Sequence, residues 1–241
     1  MPRSTGRSAR DGRLPPMDIK AVPMTADGTR VSLLTDAERR ELVAIAVPVD
    51  VRAGATLYRQ GDRADAVYGL AQGVVKALRR NGASKRTVTA FLFPHDLIGL
   101  SEAGRYVNSV LAVTPATLYR MPIAALEHLL RHNAELEYHF LCKVCHGLRE
   151  AQRHAVVLGR KSAATRVAMF LAMLERREHA NAGGIHLAMT RSDVAGYVAL
   201  SLESVSRTFR ALERDGIIAV RDRHHVRVLD RKRFDRLVSG A

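Results

Sequence analysis

The chain has 241 residues, 47% hydrophobic and 26% charged, which excludes wholesale disorder and leaves room for one large or two small domains without disulfide staples. Lys and Arg number 38 against 24 Asp and Glu, a formal charge of +14 that favours a polyanionic partner. No apolar run reaches the roughly 18 residues of a membrane span, and Arg3, Arg7, Arg10 and Arg13 are not followed by the apolar stretch of a signal peptide. A cytoplasmic protein with no membrane partner is therefore expected.

Residues 1–30 mix Pro, Gly, Ser and Arg without periodicity and read as a flexible basic tail. From Val49 to Met121 short β-type runs alternate with turn residues, among them Gly54, Gly61-Asp62, Gly73, Asn81-Gly82, Pro94-His95-Asp96, Gly99 and Pro115. Asn81-Gly82 between the apolar runs 74–78 and 87–91 is a hairpin signal. This spacing predicts a compact antiparallel barrel or roll over 31–132.

The period changes at Pro122, which suits the first turn of a helix carrying Ile123, Leu126, Leu129 and Leu130. Leu141, Val144, Leu148, Ala151, Ala155 and Leu158 then follow at alternating steps of three and four, a seam suited to pairing two helices. The spacing predicts a dimerisation helix over 133–160, with a helix packed on its own domain as the alternative. Another helix is expected near Ser162, burying Val167, Phe170, Leu171 and Leu174 and ending before Gly183-Gly184.

The last part carries the sharpest pattern. Splitting after Leu148 leaves 18 basic and 10 acidic residues in the final 93, against 20 and 14 in the first 148. Thr190-Arg191-Ser192-Asp193 resembles a capping box with Asp in place of Glu, opening a short helix. Ser201 can cap a second helix whose Val205, Phe209 and Leu212 make one buried stripe, leaving Glu203, Ser206, Arg207, Arg210 and Arg214 on the other face. Asp215-Gly216 closes it, and the runs 217–220 and 226–229 flank a polar turn, as in a hairpin. Two short helices joined by a tight turn, with a hairpin behind, predict a winged helix-turn-helix over 161–241, reading double-stranded DNA through its second helix.

Chemistry assigns the parts. Arg207 can offer two parallel donors to guanine, Glu203 can accept from cytosine and Ser206 can adapt to either. Arg191, Ser192, Ser201, Ser204 and Arg210 are expected to hold phosphates, which sets register rather than sequence.

The run from Thr190 to Tyr197, followed by Leu202-Glu203-Ser204-Val205-Ser206-Arg207, resembles the DNA-binding helices of the CRP/FNR superfamily of bacterial transcription regulators. The stretches 54–62, 67–73 and 91–99 look like that family's cyclic-nucleotide-binding-type β-roll. The resemblance covers about residues 31 to 238. It implies an α+β chain: an N-terminal β-roll sensor, a long dimerisation helix and a C-terminal winged helix-turn-helix. Leu202 and Ser206 look like the FixK-like and FNR-like branch, because the cyclic-AMP-receptor branch has Arg and Gly there. By resemblance the regulator, as an activator working with RNA polymerase, binds an inverted repeat of TTGA-like half-sites as a homodimer.

The same resemblance bears on the sensor. Members that bind cyclic nucleotides hold the phosphate with Gly-Glu and Arg-Ser pairs, whereas this chain has Gly99-Leu100 and Asn108-Ser109, with Arg105 as the one nearby substitute. No tight cyclic AMP binding is expected, and no cofactor is assigned. The two cysteines, Cys142 and Cys145, fall short of the four thiolates of an iron–sulfur cluster. On the helix they flank the seam, where they could form a thiol redox switch or simply pack. Cys142-Lys143-Val144-Cys145-His146 also spells a c-type haem attachment signature. The alternatives are thus a haem- or redox-responsive gas-sensing regulator of the same family and, in a different class, a c-type electron carrier. No Gly-rich phosphate loop with a catalytic lysine follows the roll, so no enzyme activity is expected.

Overall fold

The computed structural model describes residues 17, 34–81, 85–101, 103–178 and 184–240. The expected basic tail, apart from Met17, and the Gly82 turn position lie outside them. The first element, α1 (Asp36–Ile45), is set by a capping box in which Thr35 accepts from the Glu38 amide while Glu38 reaches back to the Thr35 amide. Then come β1 (Val47–Val51), β2 (Thr56–Tyr58), β3 (Ala66–Gln72), β4 (Val75–Asn81), β5 (Lys85–Leu92), β6 (Leu97–Ile98), β7 (Ser109–Ala112) and β8 (Ala116–Pro122). They form two antiparallel sheets, in the orders β1-β8-β3-β6 and β2-β7-β4-β5. Gly73, at φ +87°, turns the chain between β3 and β4, where a Cβ would stand 2.4 Å from the Pro115 carbonyl oxygen.

The roll's interior is filled by its own side chains. Tyr58 stacks on Tyr106 at 3.7 Å between ring centroids and lies 5.9 Å from Tyr68, with Leu70, Val75, Ala77 and Leu118 around them. In the β4–β5 pair the register shifts between Ala77 and Leu78, so Ala77 faces Ala90 and Leu78 faces Val88. Val88 therefore shares the outward face of Phe91 and Phe93, and all three join a different core.

The helical half follows: α2 (Ile123–His132), α3 (Ala134–Gly159) and α4 (Ala163–Glu178). Pro122 stands one place earlier than its predicted role, as the residue before α2. Twenty-six residues at about 1.5 Å each make α3 roughly 39 Å long, and the Asn133 side chain caps it by accepting from the Leu136 amide at 3.0 Å. One face of α3 buries Leu136, His139, Phe140, Lys143 and His146 against the roll and α1. Val167, Phe170, Leu171 and Leu174 of α4 are all 0% exposed, as their spacing predicts.

The C-terminal part comprises β9 (Ile185–His186), α5 (Arg191–Val198), α6 (Leu202–Arg214), β10 (Ile218–Val220), β11 (His225–Val228) and α7 (Arg231–Ser239). The predicted hairpin is a three-stranded wing, β10-β11-β9. Neither β9 nor α7 nor α1 was foreseen, although Thr35 and Asp230 cap the two helices in the usual way. Among the described residues no helix is long and apolar enough to cross a membrane.

The halves are joined by a buried ionic knot. Asp96, just after β5, accepts from Lys143 of α3 at 3.1 Å, from Arg177 of α4 at 3.1 and 3.2 Å, and from the Phe93 amide at 3.0 Å. Burial raises the Asp96 pKa, but Arg177 and Lys143 outweigh it and hold the carboxyl below its ordinary value. Beside the knot, His146 is pushed down to about 4 by burial and by the charges of Lys143 and Arg177, and its buried Nδ1 has no hydrogen-bond partner among the described residues.

Two outcomes follow from the knot. Asp96→Ala removes the carboxylate that two buried cations share and should cost about 3–5 kcal/mol in urea unfolding followed by circular dichroism. His146, neutral when folded, contributes fully above its unfolded value near 6.5 and loses that contribution as the pH falls toward 4, roughly 3 kcal/mol at about 1.4 kcal/mol per pH unit. Unfolding measured across that window should show the slope, and His146→Gln should remove the larger part of it.

Candidate nucleic-acid interface

The predicted capping box of α5 is formed: Thr190 Oγ1 accepts from the Asp193 amide at 3.1 Å, and Asp193 accepts from the Thr190 amide at 3.3 Å. The other Asp193 oxygen takes Lys76 Nζ of β4 at 2.5 Å, so one carboxylate both starts α5 and ties it to the roll. Gly196 makes the approach possible, because a Cβ there would stand 3.1 Å from Val88 Cγ2. Tyr197, on the same side of α5, lies 3.9 Å from the His154 ring of α3 and 5.4 Å from Phe91, between centroids, and its carbonyl takes a His154 hydrogen bond at 2.8 Å. Ala199, in the left-handed region at φ 52°, turns the chain sharply into Ser201.

Ser201 caps α6 by accepting from the Ser204 amide at 3.0 Å. Val205, Phe209 and Leu212 are buried as predicted, with Thr208 beside them bonding to the Ser204 carbonyl at 2.8 Å. The opposite face is open: Glu203, Arg207 and Arg210 are exposed and Ser206 is half-buried. Glu203 and Arg207 stand four positions apart, one helical turn, so their side chains emerge together. The one polar contact of the Arg207 guanidinium among the described residues is a 3.5 Å approach to Ser204 Oγ, which leaves its donors available. Ser192 and Ser201 are exposed and Ser204 half-buried, with its hydroxyl in the cap of α6.

Arg191 is half-buried. Its guanidinium sits 3.3 Å from the centroid of the Phe209 ring, binding the start of α5 to the middle of α6, and burial lowers its pKa to about 10 against the opposing pull of Glu213. On the wing, Asp222 pairs with His225 Nδ1 at 2.9 Å, and His224 Nδ1 donates to the Leu187 carbonyl at 2.8 Å.

All six seam residues of α3 are exposed on the single chain, Leu141 by 57%, Val144 by 45% and Leu148 by 60%, with Ala151, Ala155 and Leu158. Tyr138 and Val156 extend the apolar face. Cys142 is half-buried and Cys145 exposed, while His146 points into the knot, so the three residues of the haem-type signature face different surroundings. No group of three or more His, Cys, Asp or Glu among the described residues could hold a metal.

Residues 165–237 match the Crp-like helix-turn-helix domain, and residues 48–133 the cyclic nucleotide-binding domain. The nitrogen fixation regulation protein FixK of Bradyrhizobium diazoefficiens is 31% identical over 192 residues, 78% of this chain and 81% of that protein. The chain belongs to the CRP/FNR family, on its FixK-like side. FixK of Azorhizobium caulinodans is 31% identical over 202 residues, 82% of each chain. The structure of FixK2 from Bradyrhizobium japonicum superimposes with a TM-score of 0.75 at 28% identity, over 80% of this chain and 97% of that one. As a CRP/FNR protein the chain is a transcription regulator and not an enzyme. Within its cyclic-nucleotide-type roll, Arg105 donates to the Gly61 carbonyl at 2.7 Å, and Tyr106, close by, donates to that of Ala66 at 2.8 Å.

Sequence reasoning missed Lys76 and Asp96, which tie α5 and α4 to the roll. Their partners lie 117 and 47 or more positions away, so no local pattern could reveal them.

Proposed function

We propose that two copies pair along α3 and place their α6 helices in successive major grooves of one duplex, as a cytoplasmic activator working with RNA polymerase. The observation that carries this reading is the open α6 face, where Glu203, Ser206 and Arg207 emerge side by side above a buried Val205-Phe209-Leu212 stripe. Glu203 and Arg207 read base edges of TTGA-like half-sites in an inverted repeat, with Ser206 adapting between them. Ser192, Ser201, Ser204 and Arg210 contact phosphates, and Arg191, braced on Phe209, adds its charge to the same backbone. The domains divide the work: roll over 31–132, dimer helix over 133–160 and reading head over 161–241. A second copy covers the exposed seam from Leu141 to Leu158, since a long apolar stripe on one helix face is what a partner helix buries.

Arg207→Ala should lose about 1–3 kcal/mol on the inverted repeat, with relaxed preference at one guanine, while Arg210→Ala weakens specific and random duplexes alike; fluorescence anisotropy on both probes measures this. Equal loss on the two probes for Arg207→Ala would overturn the assignment. Leu148→Glu puts a charge on the seam and should give a single-chain mass in sedimentation, with loss of binding to the full repeat. A dimer that survives that change would refute the seam.

A further inference from the structure

The wing brings His186, His224, His225 and Asp222 together on its exposed surface. In the antiparallel pairing of β9 with β11, His186 faces His225 and Ile185 faces Val226. One step further along, the Leu187 amide donates to the His224 carbonyl at 2.6 Å, so Leu187 and His224 form a hydrogen-bonded pair. Antiparallel ladders alternate, and His186 with His225 is therefore a pair of the other kind, in which facing side chains come closest. Their rings stand 5.3 Å apart between centroids, and the His224 ring lies 6.0 Å from that of His186. Two imidazoles that share one tetrahedral ion have such a separation. A metal–nitrogen bond of about 2.0–2.1 Å, continued by about 1.1 Å to each ring centre, puts the centroids about 5 Å apart.

The rings are also oriented from behind. Asp222 takes His225 Nδ1 at 2.9 Å, and the same carboxylate accepts from the His224 amide at 2.6 Å, which fixes the turn that leads into β11. A carboxylate only accepts, so in the neutral ring the proton sits on Nδ1 and Nε2 carries the lone pair. His224 is held in the same way, with its Nδ1 on the Leu187 carbonyl at 2.8 Å. A histidine whose second nitrogen rests on a carboxylate is the usual arrangement of a metal ligand with its outer partner. Another pair of rings, His128 and His132 on α2, lies 4.4 Å apart between centroids and supplies an internal comparison.

We propose that His186 and His225 form a clamp on the wing for one divalent transition-metal ion of the nitrogen-preferring kind, such as zinc, nickel or copper, with Asp222 orienting His225. Two donors are fewer than the sets of three, none of which the described residues offer, so water completes the coordination. Imidazole nitrogens suit these ions, whereas magnesium and calcium take oxygen ligands and are not held here. The ion would bridge β9 to β11. With only Ile185 and His186, β9 is a short edge strand, and a cross-strand ion fastens it where few backbone bonds can. The site stands apart from α6 and does not depend on how that helix meets DNA.

The test uses the full chain without a polyhistidine tag. Isothermal titration with Zn²⁺ at neutral pH should show one saturable site per chain, and Mg²⁺ should show none. His186→Ala and His225→Ala should each abolish that site, with circular dichroism confirming that the variants are folded. Asp222→Asn keeps both ligands and should weaken the site about tenfold, the lower end of what an outer carboxylate contributes. His128→Ala/His132→Ala should leave it unchanged. Electron paramagnetic resonance of the Cu²⁺ complex should show two coordinated nitrogens, a pattern lost in either wing variant. Hydrogen exchange of the β9 and β11 amides should slow when Zn²⁺ is added to wild type and stay unchanged in His225→Ala. Zn²⁺ affinity equal in His186→Ala/His225→Ala and wild type overturns the proposal and marks an adventitious ion only. Loss of the site in the α2 variant with the wing intact overturns it too, as does a copper spectrum without nitrogen coupling.

Discussion

Asp96 accepts two cations and a backbone amide in a site nearly closed to water, and its partners come from the three parts of the molecule that must act together. Lys143 belongs to the long helix, Arg177 to the first helix of the DNA-binding half, and Asp96 itself to the β5–β6 turn of the roll. A buried carboxylate is costly to desolvate, and this one is tolerated because its charge is matched on two sides. Rotation of α4 against the roll would separate Arg177 from Asp96.

The hydrophobic packing points the same way. Val88, Phe91 and Phe93 belong to the roll by sequence and to the DNA-binding core by contact, and one extra residue in β5 puts Val88 on the same face as the two aromatics. Tyr197 closes that core from the side of α5, stacked on His154 and tilted against Phe91 and Phe170. With Lys76 on Asp193, the orientation of the reading helices is set by the roll as much as by their own short linker.

The open faces complete the design. The outer side of α6 carries polar groups that bond little within the chain, and the seam of α3 carries apolar groups that no other described residue covers. In the proposed assembly the first meets base edges and the second an identical helix.

Much of this was legible in the linear chain because it is local. The Thr190 and Ser201 caps, the Val205-Phe209-Leu212 stripe, the 0% exposed side chains of α4 and the alternating steps of α3 repeat at the period of a helix, and the strands are punctuated by Gly, Pro and Asn-Gly. The caps at Thr35 and Asp230 are equally local, but each opens a short helix that buries only one or two side chains, too little pattern to stand out from a turn. Tertiary structure alone decided the rest. Arg191 turned from solvent onto Phe209, His146 became a neutral base beside two cations, and β5 gave its aromatic face to another domain. Those outcomes depend on groups brought together from distant positions and on the exclusion of water between them, for which a one-dimensional pattern has no counterpart.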